Sequence, residues 1–453
     1  RGAAGGADQR TAASFYNRLE RTNAGKGDTR IYHLRRFNNW VKSGLIEFAC
    51  RGVDRPAVLD LACGKGGDLA KWARAAPGRY VGVDIARTSL ENAVDRLAGD
   101  ARRWGSVPQK LVAATLGEAS LRANEPRDAW WEGEWRRSDA PAIEDDAFDV
   151  CSMQFALHYL FETEARAEML FDDVGAALKS GGAFVATTVD ARALARLART
   201  RGVRAAAADA PDPSVDDWYR CDVFHDPPGS DCGLEALDDA SSRHAPVLTI
   251  WLEGATYRRL SGLADDDAPA YGLRYWFQLR DGDAALAVDA PEYLAPLPLM
   301  VACADRAGLD VEAIEPFPAL VERRLAEDPQ GTKRDLQRMG VPDQKGRVAA
   351  AEWDVFGLYV ALVFRKKKAP AAPDPFVLAF PAVKRAWGAA WGSLARPEQI
   401  RLVGLKASGK PGWEPPVTSL TGDDDFGDDD DVIVDAGKGS LAVDGGGFGS
   451  DSD

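Results

Sequence analysis

The segment Val58-Leu-Asp-Leu-Ala-Cys-Gly-Lys-Gly-Gly-Asp-Leu-Ala-Lys71 constrains the fold of this chain more than any other. Its first four residues are a short, mostly apolar run, which is typical of a buried parallel strand. Gly64-Lys-Gly-Gly67 then predicts a tight turn, and a helical pattern begins at Asp68. In doubly wound α/β sheets this order of strand, glycine turn and helix brings backbone N–H groups close to a nucleotide. We therefore predict an α/β fold with a ligand at the carboxyl end of this strand.

The residues around the turn narrow the choice of ligand. The turn lacks the G-x-x-x-x-G-K-[ST] spacing of a phosphate loop, and Leu69 replaces the third glycine of a dinucleotide fingerprint. Asp84 ends the next strand, where a carboxylate can accept both hydroxyls of an adenosine ribose. Asp60 offers negative charge to a cationic ligand. An adenosine cofactor with positive charge and no pyrophosphate indicates S-adenosylmethionine; a nicotinamide site and a purely structural turn remain the alternatives on these residues alone.

Composition describes an ordinary globular protein. The chain has 453 residues, of which 45% are hydrophobic and 28% charged. We find no apolar run as long as a membrane span and no signal peptide. The six cysteines are scattered without a C-x-x-C pair, which favours reduced thiols in the cytosol or nucleus. The four histidines form no ligand motif, so we predict no metal site.

The acidity of the chain is concentrated at one end. The formal net charge is -14, but the eleven Asp and one Lys from Gly422 onward account for -10 of it. The remaining residues carry only -4, so the net charge says little about whether the folded part binds nucleic acid. We predict a disordered N-terminus (1–13), a folded domain (14–365), and a linker with a disordered, acidic low-complexity tail (366–453).

Strand and helix patterns alternate through the first half of the domain. This alternation predicts a mostly parallel sheet with helices on both faces. Residues 116–146 lack a clear period and are predicted to be an inserted loop, and 201–270 to be an inserted lobe. Further on we predict a helix from Pro291 to about Ala307, one charged helix over Leu320–Met339, and a last strand over Val355–Phe364.

A segment before the glycine turn combines aromatic, cationic and amide side chains. Within residues 30–48, seven apolar side chains approximate one helical face, and Arg35, Arg36, Asn38, Asn39 and Lys42 interrupt it. Such interleaving is what a site for a stacked base and its phosphates requires. The alternative is an amphipathic helix with a solvated basic face.

Taken together, the motifs resemble those of the eukaryotic mRNA cap guanine-N7 methyltransferases over roughly Tyr16 to Phe364. They are Arg36-Phe-Asn-Asn-Trp-Val-Lys-Ser, Leu59-Asp-Leu-Ala-Cys-Gly-Lys-Gly-Gly-Asp-Leu-Ala-Lys-Trp, Gln154-Phe-Ala-Leu-His-Tyr, Gly181-Gly-Ala-Phe-Val-Ala-Thr-Thr and Pro291-Glu-Tyr-Leu. The resemblance implies a class I methyltransferase (Rossmann-like) fold with a mostly parallel, seven-stranded sheet. It also implies S-adenosyl-L-methionine as donor and the guanosine cap of RNA as acceptor.

The resemblance also implies site residues. Those expected around the methyl donor are Lys42, Asp60, Gly64, Asp84, Thr115, Gln154 and Tyr159. Those expected to contact the cap are Asn38, Asn39, Lys65, Lys71, Arg96, His158, Glu292 and Tyr359. Two positions depart from the family pattern. Ala62 stands where glycine is usual, and an acid usual near the adenine is replaced by Thr115, with Glu118 as a possible substitute.

The expected chemistry requires no general base, because guanine N7 carries a free lone pair and no proton. Catalysis can then rest on positioning and electrostatics, for which we predict His158, Tyr159 and Glu292. Glu292 can accept hydrogen bonds from the guanine N1–H and amino group, and Lys65, Lys71 and Arg96 can neutralise the triphosphate.

Each of these roles has a structural alternative. His158 and Tyr159 would be core residues of a strand-to-helix turn, Glu292 would favour a helix N-terminus, and Arg96 would lie on a solvated face.

We predict an mRNA (guanine-N7)-methyltransferase that forms m7GpppN-RNA from GpppN-RNA. The alternatives are a class I methyltransferase acting on a small molecule or another RNA position, and a non-catalytic cap-binding module. The predicted partners are 5′-capped RNA and other capping or transcription machinery, with no membrane. We further predict a monomer located in the nucleus.

Overall fold

The computed structural model describes the folded part of the chain. It covers Asp8, Thr11, Ser14 and residues 31–206, 209–224, 246–262, 269–281, 286–343 and 346–367. The predicted acidic tail and most of the predicted disordered N-terminus lie outside these residues. Asp8 belongs to the predicted N-terminus, yet it is helical and pairs with Arg274 at 2.7 Å.

The larger of two sheets has nine strands among the described residues. They are β1 (Ala57–Leu61), β2 (Arg79–Asp84), β3 (Gln109–Ala113), β4 (Arg127–Trp131), β5 (Glu134–Ser138), β6 (Phe148–Gln154), β7 (Leu178–Val189), β13 (Leu309–Pro316) and β14 (Tyr359–Lys366). Their order is β13-β14-β7-β6-β1-β2-β3-β4-β5. The strands from β7 to β3 in this order are parallel, and β14 is antiparallel between β13 and β7. The predicted mostly parallel, seven-stranded α/β sheet is therefore confirmed, as the seven strands from β13 to β3.

Residues predicted to be an inserted loop form a hairpin instead. β4 and β5 pair with each other and extend the sheet beyond β3, so the prediction of a loop over 116–146 was wrong for this part. The hairpin contains Trp130 opposite Trp135, a cross-strand aromatic pair that stabilises such a ribbon. Charged residues lie on both faces of β4 and β5. The sequence therefore lacks the alternation of apolar and polar residues that predicts a strand.

Helices cover the sheet. They are α1 (Tyr32–Cys50), α2 (Leu69–Arg74), α3 (Arg87–Gly99), α4 (Ala101–Trp104), α5 (Glu164–Ala177), α6 (Ala191–Arg201), α7 (Gly254–Ser261), α8 (Leu297–Arg306), α9 (Phe317–Glu327), α10 (Pro329–Arg338) and α11 (Ala350–Phe356), with a 3₁₀ turn over Leu157–Glu162. Val58, Leu59 and Leu61 are fully buried although neighbouring side chains point to opposite faces. Both faces of β1 are therefore covered.

The second sheet belongs to the inserted lobe and is antiparallel. Its strands are β8 (Val203–Arg204), β9 (Trp218–Val223), β10 (Leu248–Glu253), β11 (Arg274–Arg280) and β12 (Leu286–Tyr293), in the order β12-β11-β10-β9-β8. The lobe thus extends beyond residue 270. Pro291 and Glu292 lie on β12, and the following helix begins only at Leu297, so the prediction of a helix from Pro291 was wrong. Proline is tolerated there because β12 is an edge strand.

Two later boundaries also differ from the prediction. The charged segment 320–339 is two helices, because the chain breaks at Asp328 before Pro329 begins α10. Val355 belongs to α11, and Gly357 separates this helix from β14. The last strand consequently begins at Tyr359 rather than at Val355.

Candidate functional site

A cavity of about 280 Å³ opens at the carboxyl ends of β1, β2 and β6. Six residues predicted from the sequence line it: Lys42, Gly64, Lys65, Asp84, Gln154 and Tyr159. The parallel register explains why they meet, since Asp60 lies beside Gly82 on one side and Ser152 on the other. The turns that follow these strands are thereby placed at one edge of the sheet.

The glycine turn brings the main chain to the cavity wall. Gly64 and Gly66 have φ values of 53° and 72°, in the left-handed region that favours glycine. A Cβ atom on Gly66 would lie 2.6 Å from Leu69 Cδ1 and 3.1 Å from Ala93 Cβ, so a larger residue there would have to displace the Leu69 side chain. Gly64 and Gly67 both line the cavity, which leaves backbone close to any ligand.

Ala62 also has a left-handed backbone, with φ at 54°. A side chain in this region costs about 1–2 kcal/mol, while glycine loses about 0.5–1 kcal/mol of chain entropy. We therefore expect Ala62→Gly to stabilise the protein by up to about 1 kcal/mol in urea unfolding. Ala86 lines the same cavity with φ at -93°; Ala86→Gly should destabilise, and stabilisation by both changes would contradict the argument.

Asp84 stands at the end of β2 with each carboxylate oxygen held by the main chain. Gly64 N–H donates to Oδ2 and Ala86 N–H to Oδ1, both at 2.8 Å. Burial raises the pKa of this carboxyl, while the two N–H groups act in the opposite direction. Each oxygen keeps a further lone pair, so the carboxylate can accept two more hydrogen bonds from a ligand in the cavity.

Asp60 lies beneath the cavity rather than in its lining. It is 3% exposed, and its Oδ2 accepts hydrogen bonds from Trp72 Nε1 at 3.1 Å and Tyr80 OH at 3.0 Å. Burial, followed by the nearby charge of Asp68, raises its pKa to about 7. Direct contact of Asp60 with a methyl donor stays a prediction.

The raised pKa of Asp60 makes protein stability depend on pH. Because the unfolded carboxyl has a pKa of 3.8 and the folded one about 7, the folded state binds an extra proton between these values. The stabilisation from this proton is complete below about pH 4 and lost as the pH rises through 7. We expect Asp60→Asn to flatten the decline in urea-unfolding free energy over this window, by at most about 1.4 kcal/mol per pH unit.

A second buried acid provides the internal reference for this measurement. Burial also raises the pKa of Glu352 to about 7, but Glu352 titrates equally in both proteins and cancels in their difference. Parallel stability curves for the wild type and Asp60→Asn would refute the assignment.

Two lysines share one carboxylate at the rim of the cavity. Asp68 Oδ1 lies 2.7 Å from Lys42 Nζ and 2.8 Å from Lys71 Nζ. Burial by itself would raise the pKa of Asp68, but the two ammonium groups outweigh it and lower the pKa. Lys71 is buried, which lowers its pKa to about 8, and it donates to Asn39 Oδ1 at 2.9 Å. This arrangement, the lysine–aspartate bridge, joins α1 to α2.

The far wall of the cavity is apolar. Ala114 and Leu116 line it, whereas Thr115 between them does not. Glu118, the other candidate for an acid near the adenine, lies 3.9 Å from Arg166. Neither residue therefore supplies a carboxylate to the cavity wall, and a contact of Thr115 with the cofactor stays a prediction.

A buried cluster of His158, Tyr275 and Glu292 adjoins the cavity; we refer to it as the carboxylate cluster. Tyr275 OH donates to Glu292 Oε2 at 2.6 Å, and Glu292 Oε1 lies 3.4 Å from His158 Nε2. Burial, then the Glu292 charge, raises the pKa of Tyr275 well above its ordinary range, so the phenol stays a donor. Within the described part of the chain, His158 Nε2 is buried without a hydrogen-bond partner. Buried polar atoms are normally paired, and the group that faces this nitrogen is the Glu292 carboxylate.

Aromatic side chains connect this cluster with the cavity. Tyr159 lines the cavity, and its ring centroid is 4.4 Å from that of His158. Phe155 also lines the cavity and meets Tyr359 edge-to-face at 5.0 Å. Phe155 has φ at 57°, a conformation that a bulky residue adopts only when its surroundings impose it.

The remaining predicted residues lie around these groups. Asn38 is on α1, and its Oδ1 is another buried acceptor without a partner among the described residues. Gln154 donates to Ser152 Oγ at 3.1 Å and accepts from Thr187 Oγ1 at 3.2 Å, which fixes its amide. Arg96 is seven residues beyond Ser89, the α3 residue that lines the cavity. The helix rise places it about 10 Å further along the axis, so the structure does not bring Arg96 to the lining.

Among the residues of the site that were not predicted from the sequence are Asp68, Phe155 and Tyr275. Asp68 precedes Lys71 by three residues, a spacing that pairs opposite charges on a helix. Tyr275, Phe277 and Leu279 are buried and alternate with the half-buried Trp276 and Gln278. This period of two places Tyr275 on the buried face of its strand. This pattern was visible in the sequence. It did not indicate a functional role for Tyr275, because the sequence alone does not place Glu292 on the neighbouring strand.

Comparison with known proteins assigns the chain to a family. The model of the mRNA (guanine-N(7))-methyltransferase domain matches residues 3–209 and 256–367. The chain belongs to this family. The mRNA cap guanine-N(7) methyltransferase 1 of Oryza sativa subsp. japonica is 32% identical over 80% of this chain and 82% of the relative. Its counterpart in Arabidopsis thaliana is 30% identical over 79% and 81%, and the enzyme of Schizosaccharomyces pombe is 28% identical over 74% and 76%.

The cavity fits the cofactor of this methyltransferase family, S-adenosylmethionine. Asp84 has acceptor capacity for two hydroxyls, Lys42 supplies a cation, and the apolar wall at Ala114 and Leu116 can flank a nucleobase. None of the described helices is long and apolar enough to cross a membrane. Across the same residues, His, Cys, Asp and Glu side chains form no group that could hold a metal ion.

Proposed function

We propose that this protein transfers a methyl group from S-adenosylmethionine to N7 of the terminal guanosine of 5′-capped RNA. The observation that carries the proposal is the carboxylate cluster beside the cofactor cavity. Glu292 is 4% exposed. Tyr275 holds one of its oxygens, and the other, which lies 3.4 Å from His158 Nε2, keeps a lone pair that can accept from a guanine edge. Guanine presents two neighbouring donors, N1–H and the amino group, whereas adenine presents none in that arrangement.

The proposed roles of the residues follow from their positions. Asp84 binds the ribose hydroxyls, Lys42 pairs with the cofactor's carboxylate, and Gln154 and Tyr159 complete the wall. His158 and Glu292 orient the guanine, while Phe155 and Tyr359 supply aromatic surfaces. Lys65, Lys71 and Asn39 face the cap phosphates. When bound, S-adenosylmethionine supplies a methyl carbon activated by its sulfonium.

Positioning is sufficient for the reaction. N7 bears no proton, so these side chains need only hold the nucleophile in line with the methyl carbon and exclude water. This arrangement distinguishes the proposal from methylation of a hydroxyl, in which a proton has to be removed.

Methyl transfer from labelled S-adenosylmethionine to GpppN-RNA and to uncapped RNA of the same sequence tests the proposal. We expect transfer to capped RNA alone, with N7-methylguanosine as the product after nuclease digestion. Equal transfer to uncapped RNA would favour a methyltransferase acting at another RNA position. Cap binding without detectable cofactor binding in calorimetry would leave the non-catalytic module.

The wider setting is also part of the proposal. Capping acts on nascent transcripts, so we place the protein in the nucleus, as a monomer working with other capping or transcription machinery. The segment beyond residue 367 is proposed to lie outside the catalytic domain, whereas Asp8, which pairs with Arg274, is proposed to belong to it. Size-exclusion chromatography with light scattering tests the monomer.

A further inference from the structure

One carboxylate from the N-terminal segment of the chain joins the two strands that carry Tyr275 and Glu292. Asp8 Oδ2 accepts hydrogen bonds from Arg274 Nε at 2.7 Å and from Tyr293 OH at 2.6 Å, and its Oδ1 accepts from Arg274 Nη2 at 3.2 Å. Arg274 begins β11 and Tyr293 ends β12. Pairing through both oxygens fixes the carboxylate relative to the guanidinium. We refer to Asp8, Arg274 and Tyr293 as the N-terminal clamp.

The N-terminal clamp lies directly beside the carboxylate cluster along the sheet. Arg274 and Tyr293 are opposite each other on β11 and β12, and the next opposite pair is Tyr275 and Glu292. Residues opposite each other share a face of the sheet, while successive residues point to opposite faces. The clamp therefore holds one face of the two strands, one residue away from the pair on the other face that is proposed to bind guanine.

The contacts of the clamp are sheltered from water, and Arg274 has further acidic partners. The side chains of Asp8 and Arg274 are 16% and 15% exposed, and Tyr293 is 7% exposed. Arg274 also pairs with Asp212 at 3.0 Å and with Glu253 at 2.9 Å, both in the lobe. Burial, and then the hydrogen bond to Asp8, raises the pKa of Tyr293 above its ordinary range, so the phenol stays a donor. Loss of Asp8 would thus leave Arg274 neutralised, but it would remove the acceptor of the Tyr293 hydroxyl.

The position of β12 makes it sensitive to such a contact. Within the described part of the lobe, β12 is an edge strand that pairs with β11 alone. An edge strand has backbone hydrogen bonds on one side only, so side-chain contacts contribute more to its position. Neither strand contributes a residue to the lining of the cofactor cavity. A change in the clamp should therefore displace Glu292 without disturbing the cofactor site.

We propose that Asp8 is a positioning residue for guanine recognition. Through Arg274 and Tyr293 it fixes the two strands that carry the carboxylate cluster. The proposal rests on the proposed function, in which Glu292 binds the guanine edge. Misplacement of a functional group by about 1 Å can lower a reaction rate by about a hundredfold. A residue from the start of the chain thereby sets the affinity for the cap and leaves the affinity for the cofactor unchanged.

Asp8→Ala is expected to raise KM for the cap dinucleotide GpppG by about three- to tenfold, with an unchanged dissociation constant for S-adenosylmethionine. Tyr293→Phe removes the hydroxyl that Asp8 binds and should raise KM in the same direction. The double variant should match Asp8→Ala alone, because the contact of Tyr293 with Asp8 is then already lost. Initial rates at saturating cofactor give KM, and calorimetric titration gives the dissociation constant. An unchanged KM in Asp8→Ala, or effects that multiply in the double variant, would overturn the proposal.

Asp222 provides a matched control in the same sheet. Its side chain is 17% exposed, and it accepts from Arg220 Nε at 2.9 Å and from Thr249 Oγ1 at 2.8 Å. It therefore binds an arginine and a hydroxyl as Asp8 does, but on β9 and β10, away from the carboxylate cluster. Asp222→Ala should lower the free energy of unfolding in urea and leave KM for GpppG unchanged. An equal rise of KM in both variants would show general loosening of the lobe and would overturn the proposal.

Failure of the proposed function would look different. A wild-type protein that methylates neither GpppG nor capped RNA refutes that function. Backbone hydrogen exchange followed by mass spectrometry still reports on the clamp, because it needs no methyl transfer. Residues 286–293 should exchange faster in Asp8→Ala than in the wild type or in Asp222→Ala. Unchanged exchange over these residues would refute the clamp whether or not the protein is active.

Discussion

Glu292→Gln is expected to lower kcat/KM for methyl transfer to GpppN-RNA by at least about tenfold, or 1.4 kcal/mol. Glutamine keeps the shape of the side chain but replaces one oxygen with an amide donor. Because Tyr275 OH already donates to this group at 2.6 Å, the amide nitrogen has to face either Tyr275 or the donors of guanine. Facing Tyr275, the amide requires the phenol to become an acceptor; facing guanine, it leaves two donors opposed in a buried site. The affinity for S-adenosylmethionine should stay unchanged.

The structure supplies a matched control for Glu292. Glu352 is 2% exposed, and its Oε1 accepts the Leu34 N–H at the start of α1. Glu352→Gln makes the same exchange in an equally buried place away from the cavity, so it should affect stability and leave guanine recognition alone. Glu292 on β12 is not at a helix N-terminus, which removes the helix-dipole alternative. A wild-type transfer rate for Glu292→Gln would show that this carboxylate does not read the guanine.

Asp84→Ala is expected to weaken S-adenosylmethionine binding by about 1.5–3 kcal/mol, the scale of lost charge-assisted hydrogen bonds. The change removes the acceptor of the ribose hydroxyls and also releases the Gly64 and Ala86 N–H groups that the carboxylate holds at 2.8 Å. Calorimetric titration measures the dissociation constant, which should rise by about ten- to a hundredfold. Cap affinity should barely change.

Asp173 provides the comparison for Asp84. It is another buried aspartate that holds a loop, since its Oδ2 accepts the Leu121 N–H at 2.8 Å. Asp173→Ala should reduce stability without affecting the cofactor, because Asp173 does not line the cavity. If both substitutions leave the dissociation constant unaltered, Asp84 does not face the ribose.

The central sheet was predictable because its strands are short, mostly apolar runs. β1 and β2 are buried on both faces, and a strand buried in this way is expected to be a nearly continuous apolar run, as these sequences are. β12 was not predictable, because proline before a helical run is a common helix start and the edge position that tolerates Pro291 is a property of the whole sheet. The β4–β5 hairpin was missed for a similar reason: its strands are stabilised by pairing rather than by an alternating pattern.

Residues at which a motif coincides with a strand end do line the cavity, although their roles stay predictions. Gly64, Asp84 and Gln154 each follow or end a parallel strand, so topology alone brings them to the cavity. Arg96 was predicted from a position on a helix instead. Such a position does not determine how far the side chain lies from the cavity. Tyr275 depends on a cross-strand neighbour, Glu292, whose register is set by the antiparallel lobe.

The lysine–aspartate bridge has a consequence for the order in which ligands bind. One oxygen of Asp68 pairs with the ammonium groups of both Lys42 and Lys71. If the carboxylate of the cofactor draws Lys42 away, Asp68 pairs with Lys71 alone and neutralises its charge more completely. The phosphates of the RNA are then attracted less strongly by the positive charge of Lys71. Thermodynamic linkage requires that RNA weaken the cofactor by the same factor. With the proposed roles of Lys42 and Lys71, one shared hydrogen-bond acceptor makes the two substrates mild antagonists at equilibrium, and it eases the departure of whichever product leaves first.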